Sequence, residues 1–225
     1  MKKFAIAVDG PAGSGKSTVA KAVAKKLGII YVDTGAMYRA VAYFCIQKGV
    51  STLDEKGVLP LLTEIRLEIQ PQRGGQRIFL DGEDITDSIR TQEIGQGASH
   101  VGTIQSVRQK LGDMQREMAK NYSVIMDGRD IGTYVLPEAE VKIYMDAGAD
   151  ERARRRMGEL KAKGEKPVFE MVREEIIKRD ENDMNRKCRP LRKAEDAVYL
   201  DTTAMSIDEV VEEILEITKI RIGEV

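Results

Sequence analysis

The chain has 225 residues, 32 % of them charged and 42 % hydrophobic, with a formal net charge of −1. That length and balance exclude a disordered polymer and fit one compact α/β domain with small insertions. A near-neutral chain has no basic field to draw in a nucleic acid polymer, and no apolar run approaches the roughly 20 residues of a membrane span. No signal-peptide core follows Met1, so the cytoplasm is the expected compartment. Two cysteines, Cys45 and Cys188, lack metal-ligand spacing, and His100 is the only histidine. A zinc site or a histidine-dependent triad is therefore not expected, and Cys45 reads as a buried structural thiol.

The first apolar run, Phe4–Val8, has the length of a buried strand. Val19, Val23 and Leu27 then recur four apart, with Gly28 placed as a helix C-cap. Between them lies Asp9-Gly10-Pro11-Ala12-Gly13-Ser14-Gly15-Lys16-Ser17-Thr18. A G-x-x-x-x-G-K-S pattern between a strand and a helix is a phosphate-binding loop. Its glycines let backbone N–H groups surround phosphate oxygens, and the helix N-terminus adds partial positive charge. Lys16 can reach the β- and γ-phosphates, and the Ser17 hydroxyl can ligand Mg²⁺. The expected co-substrate is ATP.

Further apolar runs at Ile29–Val32, Val124–Met126, Val141–Met145 and Ala197–Leu200 are each too short for a helix and are separated by helical patterns. Runs of this kind predict a parallel sheet covered on both faces. All five end at an acid: Asp9, Asp33, Asp127, Asp146 and Asp201. Carboxyl ends of such strands are where α/β folds place ligands, which singles out Asp33 and Asp127. An acid closing a strand beside such a loop commonly organises Mg²⁺ through water, the role expected of Asp127.

Between Gly49 and Thr103 the period changes. Ile65, Leu67 and Ile69 alternate with polar residues, and Pro71-Gln72-Arg73-Gly74-Gly75 leads into Arg77–Leu80, which predicts an antiparallel hairpin on an insertion. Ile104, Val107, Leu111, Met114 and Met118 mark an amphipathic helix, and Ser206-Ile207-Asp208-Glu209 has the form of a capping box opening the last one.

Three arginine clusters stand out. Arg39 follows the strand-to-helix turn Asp33-Thr34-Gly35, where it either faces the crevice or lies in solvent. Arg129 and Asp130 follow Asp127-Gly128 and are expected to face the crevice. Arg179, Asp183 and Arg186 fall on one helix face that continues back to Ile176 and Val172. Charges in that stripe form either a structural network or a contact with an anionic ligand. A fourth run, Arg152-Ala153-Arg154-Arg155-Arg156 with Lys161-Ala162-Lys163 beyond it, could close over a transferring phosphoryl group or lie solvated. Together with the loop, the clusters point to a second anionic substrate.

The loop, Asp33–Arg39, Ile89–Glu93, Asp127–Thr133 and Lys178–Arg186 resemble the bacterial cytidylate kinases along essentially the whole chain. The resemblance implies a P-loop NTPase fold of three layers, α/β/α, with a five-stranded parallel sheet, a small antiparallel insertion and a short lid. It places the core at 1–49, 103–148 and 166–225, the nucleoside-monophosphate-binding insertion at about 50–102 and the lid at about 149–165. It implies Mg²⁺-dependent phosphoryl transfer from ATP to CMP and dCMP, in pyrimidine nucleotide metabolism. Arg39, Arg129 and Arg186 would hold the acceptor phosphate, and Arg179 and Asp183 the sugar. Ser99, Arg108 and Asp130 would read cytosine, with Thr34 in the acceptor site at a position often held by Ser. Arg152, Arg155 and Arg156 would form the lid over ATP. The expected catalytic set is Lys16, Arg129 and Arg186.

Base chemistry agrees with this assignment. The exocyclic amine of cytosine needs an acceptor, which Asp130 supplies, while Arg108 and Ser99 suit its O2 and N3 side. Alternatives are another small-molecule kinase acting on UMP, AMP or shikimate, and more remotely a nucleotide switch or an ATPase. No Asn-Lys-x-Asp guanine motif is present, and Gly128, not Glu, follows Asp127. No large apolar face is left over in the sequence, so a monomer is expected.

Overall fold

The computed structural model describes residues 3–72, 75–162 and 164–223. Arg73 and Gly74 of the expected turn and Lys163 of the basic run lie outside the described residues. Five strands form a parallel sheet in the order β2-β6-β1-β7-β8: β1 (Ala5–Asp9), β2 (Ile30–Asp33), β6 (Val124–Gly128), β7 (Val141–Asp146) and β8 (Val198–Asp201). Each forms at one of the five apolar runs and ends at or next to its acid.

Alternation along the strands explains why apolar runs without a polar face fold this way. Ala5 and Ala7 of β1 enter one core with Val124 and Met126, while Ile6 and Val8 enter the other with Ile125. The first core is closed by α2 (Thr34–Gln47) and α5 (Gln105–Asn121), the second by α1 (Lys16–Leu27) and α8 (Ile207–Ile222). Strands buried on both faces have no position that water would reward, hence the continuous runs. Gly28 caps α1 in the left-handed region, and Ser206 with Glu209 forms the capping box of α8.

The insertion contains more than a hairpin. After α3 (Glu55–Glu64), the strands β3 (Leu67–Gln72), β4 (Gly75–Leu80) and β5 (Glu83–Asp84) form a three-stranded antiparallel sheet, and α4 (Gln92–Val101) returns against α2. Gln76 ties this sheet to the core: its side-chain amide accepts from Asp33 N at 3.1 Å and donates to Asp33 O at 2.9 Å. The pair α6 (Ala149–Ala162) and α7 (Phe169–Asn185) packs through Ala153, Val172 and Ile176. Arg186 is the first residue past α7 and is extended, so the expected helical face stops at Asp183 and the chain turns there. Among the described residues, no helix is long and apolar enough to cross a membrane.

Candidate active site

The glycine loop leaves β1 under a tight constraint. Gly10 has φ 151°, and a Cβ there would lie 2.0 Å from the Met145 carbonyl oxygen of β7. Gly15, at φ 87°, opens α1 without a side-chain cap. The first-turn N–H groups of α1 and the positive end of its dipole are therefore free to meet an anion. Lys16 is buried, and its ammonium donates to the Pro11 carbonyl at 2.5 Å and to Ser14 Oγ at 3.0 Å. Burial, reinforced by Arg129 and Arg179, pushes its pKa down to about 7 against the pull of Asp127 and Asp9. Arg129 and Arg179, from two different clusters, thus lie close enough for the loop lysine to sense them.

Asp127 is the meeting point of three strand ends, since Val8 and Asp33 are its register partners on either side. Ser17 Oγ donates to its Oδ2 at 2.7 Å, Tyr31 OH to its Oδ1 at 2.9 Å, and Thr34 Oγ1 to its carbonyl at 2.6 Å. Burial and the neighbouring Asp33 raise its pKa. Asp33 has a structural role as well: Oδ1 accepts from Ala36 N and caps α2, while Oδ2 accepts from Arg90 at 2.9 Å. Arg39, half-buried beside them, has its pKa lowered by burial and by Arg90 and Arg129, against the pull of Asp33 and Asp127.

Opposite the loop the charged side chains interlock. Arg129 Nε donates to Asp183 Oδ2 at 2.7 Å, and Arg186 approaches Asp183 Oδ1 at 3.5 Å and Asp130 Oδ1 at 4.0 Å. Burial alone would raise the Asp183 pKa, but Arg129 and Arg179 outweigh it and hold it below the usual range. Arg179 faces no such surplus of acids; burial and Arg129 push its pKa down to about 10. Arg108 donates to Asp130 at 2.5 Å and to the Gly102 carbonyl at 2.9 Å, and its guanidinium lies 5.3 Å from the Tyr38 ring centroid. Ser99, on α4, is held by a 3.5 Å contact to Gly95 O.

This network is incomplete in one specific way. Among the described residues, four buried side-chain polar atoms have no hydrogen-bond partner: Arg108 Nε, Asp130 Oδ2, Arg179 Nε and Arg186 Nη2. All four belong to residues that the sequence singles out for the acceptor. A finished structural network would satisfy its buried groups, because each orphan costs about 1–3 kcal/mol or more. Three unpaired donors and one unpaired acceptor thus stand together in one buried charged cluster, an arrangement that could receive an anion carrying a polar base.

The arginines of α6 divide. Arg155 donates to Thr202 O at 2.6 Å, to Thr202 Oγ1 at 3.2 Å and to Ser14 O at 3.4 Å, beside the loop. Arg156 pairs with Glu159 at 2.8 Å and still influences Arg179. Arg152 departs from the lid role. It is 7 % exposed and bonds Ala147 O, Ala12 O and Asp180, so its guanidinium is committed beneath the loop. Asp180 was not among the residues singled out, although it continues the buried stripe Val172–Ile176 by one turn and its charge in that stripe was a visible signal.

The cytidylate kinase family model matches residues 6–220. A cytidylate kinase from Caldicellulosiruptor bescii is 51 % identical over 217 residues, covering 96 % of this chain and 96 % of its own. One from Ligilactobacillus salivarius is 50 % identical over 221 residues, covering 98 % of this chain and 99 % of its own. Among solved structures, TT1252 from Thermus thermophilus aligns over 100 % of both chains with a TM-score of 0.51 at 17 % identity. A gluconokinase from Sinorhizobium meliloti covers 98 % of this chain and 95 % of its own with a TM-score of 0.50 at 15 % identity. These two likenesses concern the fold.

Proposed function

Because the chain belongs to the cytidylate kinase family, we propose that it phosphorylates CMP at the expense of ATP, giving CDP and ADP, with dCMP as a second acceptor. The observation that carries the acceptor assignment is the unpartnered Asp130 Oδ2 within a cluster of unpartnered guanidinium nitrogens. An exocyclic amine would satisfy the former, and the phosphate, sugar and base of the same nucleotide the nitrogens of Arg186, Arg179 and Arg108. Uracil would set a carbonyl against the carboxylate and leave it unpaired.

In this scheme the glycine loop, Gly10 through Thr18, holds the ATP phosphates, with Arg155 and Arg156 closing over them. Arg39, Arg129 and Arg186 hold the acceptor phosphate near Thr34, and Arg179 with Asp183 the sugar. Ser99, Arg108 and Asp130 read the base. The acceptor is already an oxyanion, so no general base is needed. Its oxygen attacks the γ-phosphorus as the bond to the β-bridging oxygen breaks, and ADP leaves with that electron pair. Lys16, Arg129 and Arg186 neutralise the charge that spreads over the transferring group.

Mg²⁺ fits the donor set. Ser17 Oγ and the Asp127 carboxylate are hard oxygen donors side by side at the loop. Among the described residues, no group of three or more His, Cys, Asp or Glu could hold a metal ion. That suits an ion taking one or two protein ligands and completing its shell with phosphates and water. Bound there, it would offset triphosphate charge; Ser17 would ligate it directly and Asp127 through water.

The residue division proposed is a core at 1–49, 103–148 and 166–225, an acceptor-binding insertion at about 50–102 and a lid at about 149–165, in a cytoplasmic monomer. The test is ADP formation from Mg-ATP with CMP, dCMP, UMP, AMP and shikimate supplied separately. Activity confined to CMP and dCMP is expected. Equal activity with UMP or AMP would remove the base-reading roles, and ATP loss independent of any acceptor would remove the second substrate.

A further inference from the structure

Ala12 lies in the middle of the glycine loop and is buried, and both polar groups of its backbone are held by one ion pair. Asp180 Oδ1 accepts from Ala12 N at 3.0 Å. Arg152 Nη1 donates to Ala12 O at 2.8 Å and to Asp180 Oδ2 at 2.5 Å, and its Nε donates to Ala147 O at 2.8 Å. Both side chains are buried, Asp180 at 9 % and Arg152 at 8 % exposure. The two helices involved carry charges toward the two halves of the site. Asp180 sits on α7 between Arg179 and Asp183, and Arg152 sits on α6 one turn before Arg155, which reaches Ser14 O.

Burying two ions costs several kcal/mol each, and an apolar pair of similar volume would serve cohesion as well or better. What an apolar pair cannot do is grip a peptide by both its N–H and its C=O. We propose that Asp180 and Arg152 are positioning residues: together they clamp Ala12 to α6 and α7, and so fix the phosphates held by the loop in line with an acceptor held by α7. The inference rests on the kinase assignment above. It gives Arg152 a task other than covering ATP, and it gives a task to Asp180, which no part of that assignment uses.

Both Asp180 oxygens accept, one from each donor, so Asp180→Asn can serve only one of them. Arg152→Lys keeps the charge but cannot reach Ala147 O, Ala12 O and Asp180 with one ammonium. Each variant is expected to lower kcat by about 10- to 100-fold, the scale of a small misplacement of reacting groups. KM for ATP and CMP should stay within about threefold, since neither side chain touches a substrate. Because a single variant leaves a buried charge unmatched and can lower the melting temperature, the apolar double variant Arg152→Met/Asp180→Leu provides the control. It leaves no unmatched charge and can grip neither polar group of Ala12. A clamp predicts recovered melting temperature with kcat still depressed; recovery of both to wild-type values would make the pair structural only and overturn the proposal.

Amide exchange at Ala12 separates failure of the clamp from failure of the kinase assignment. If the wild-type protein forms no ADP with CMP, the kinase assignment falls, and the clamp stands or falls on exchange alone. Exchange of the Ala12 N–H at least about tenfold faster in Asp180→Leu, which has no acceptor for it, is expected, because that bond is local and buried; an unchanged rate would overturn the clamp whatever the acceptor proves to be.

Discussion

Ser17 and Asp127, 110 positions apart in the chain, meet at 2.7 Å where the glycine loop passes the carboxyl end of β6. The same carboxylate accepts from Tyr31 on β2, so one acid joins three adjacent strands. The contact places two hard oxygen donors where Mg²⁺ would join the nucleotide. With Asp127→Asn, the Mg²⁺ concentration giving half-maximal activity should rise about 10- to 100-fold, the usual cost of losing an outer-sphere metal partner. A magnesium titration at saturating ATP and CMP checks this; an unchanged requirement would remove Asp127 from the metal site.

In the proposed scheme Lys16 and Arg129 both bring positive charge to the transfer. Lys16→Ala and Arg129→Ala should each lower kcat by about 100- to 1000-fold, the range for losing one preorganised transition-state contact. The fold should persist, as Lys16 bonds only groups of its own loop. Arg129→Ala also removes a hydrogen bond to Asp183, which keeps Arg186 at 3.5 Å and the nearby charge of Arg179. Circular dichroism and steady-state rates on the same preparations would separate lost turnover from lost structure.

Asp130 carries one paired and one unpaired oxygen. Asp130→Asn can keep an acceptor toward Arg108 while presenting an amide donor where the free oxygen was. A donor there suits the O4 carbonyl of uracil, so the ratio of kcat/KM for CMP over UMP should fall by about 100-fold or more. KM for ATP should hardly change. Competition between the two acceptors, read by product chromatography, measures the ratio directly; an unaltered preference would mean that Asp130 does not read the base.

Asp9 closes β1 and accepts from Ile131 N at 2.9 Å and Gly132 N at 2.7 Å, tying the start of the glycine loop to the π-helical turn after Asp130. Burial raises its pKa from 3.8 to about 6, the two backbone bonds only partly opposing it. The folded state then binds the Asp9 proton more tightly than the unfolded chain does. Its contribution to stability is full below pH 4 and is lost as the pH rises through about 6. Relative to Asp9→Asn, the wild-type protein should therefore lose roughly 2 kcal/mol between pH 4 and pH 6. Urea unfolding of both proteins at those two pH values tests the sign and the size; parallel curves would show that Asp9 titrates alike in both states.

The five strands, α1 with its glycine C-cap, the capping box of α8 and the phosphate-binding loop are legible in the sequence because their causes are local. An apolar run, a four-residue period, or a glycine at a fixed offset acts within a few residues of itself. The charged residues of the proposed acceptor site stand out in the sequence as well, since ions in an otherwise apolar stripe advertise themselves. Their pairing is not. That Arg129 takes Asp183, that Arg108 takes Asp130, and that Arg152 turns beneath the loop to Asp180 depend on β6, α5, α6 and α7 meeting across more than twenty intervening residues in each case. The insertion shows the same divide: its hairpin follows from period-two alternation, whereas its attachment through Gln76 to Asp33 needs β2 and β4 brought side by side. Sequence by itself determined which residues must leave water and which must bind phosphate, through hydrophobic periodicity and backbone geometry. Only the tertiary structure decided which buried charge meets which and which buried polar atoms among the described residues stay unpaired, because desolvation and hydrogen-bond geometry depend on neighbours that are distant in the chain.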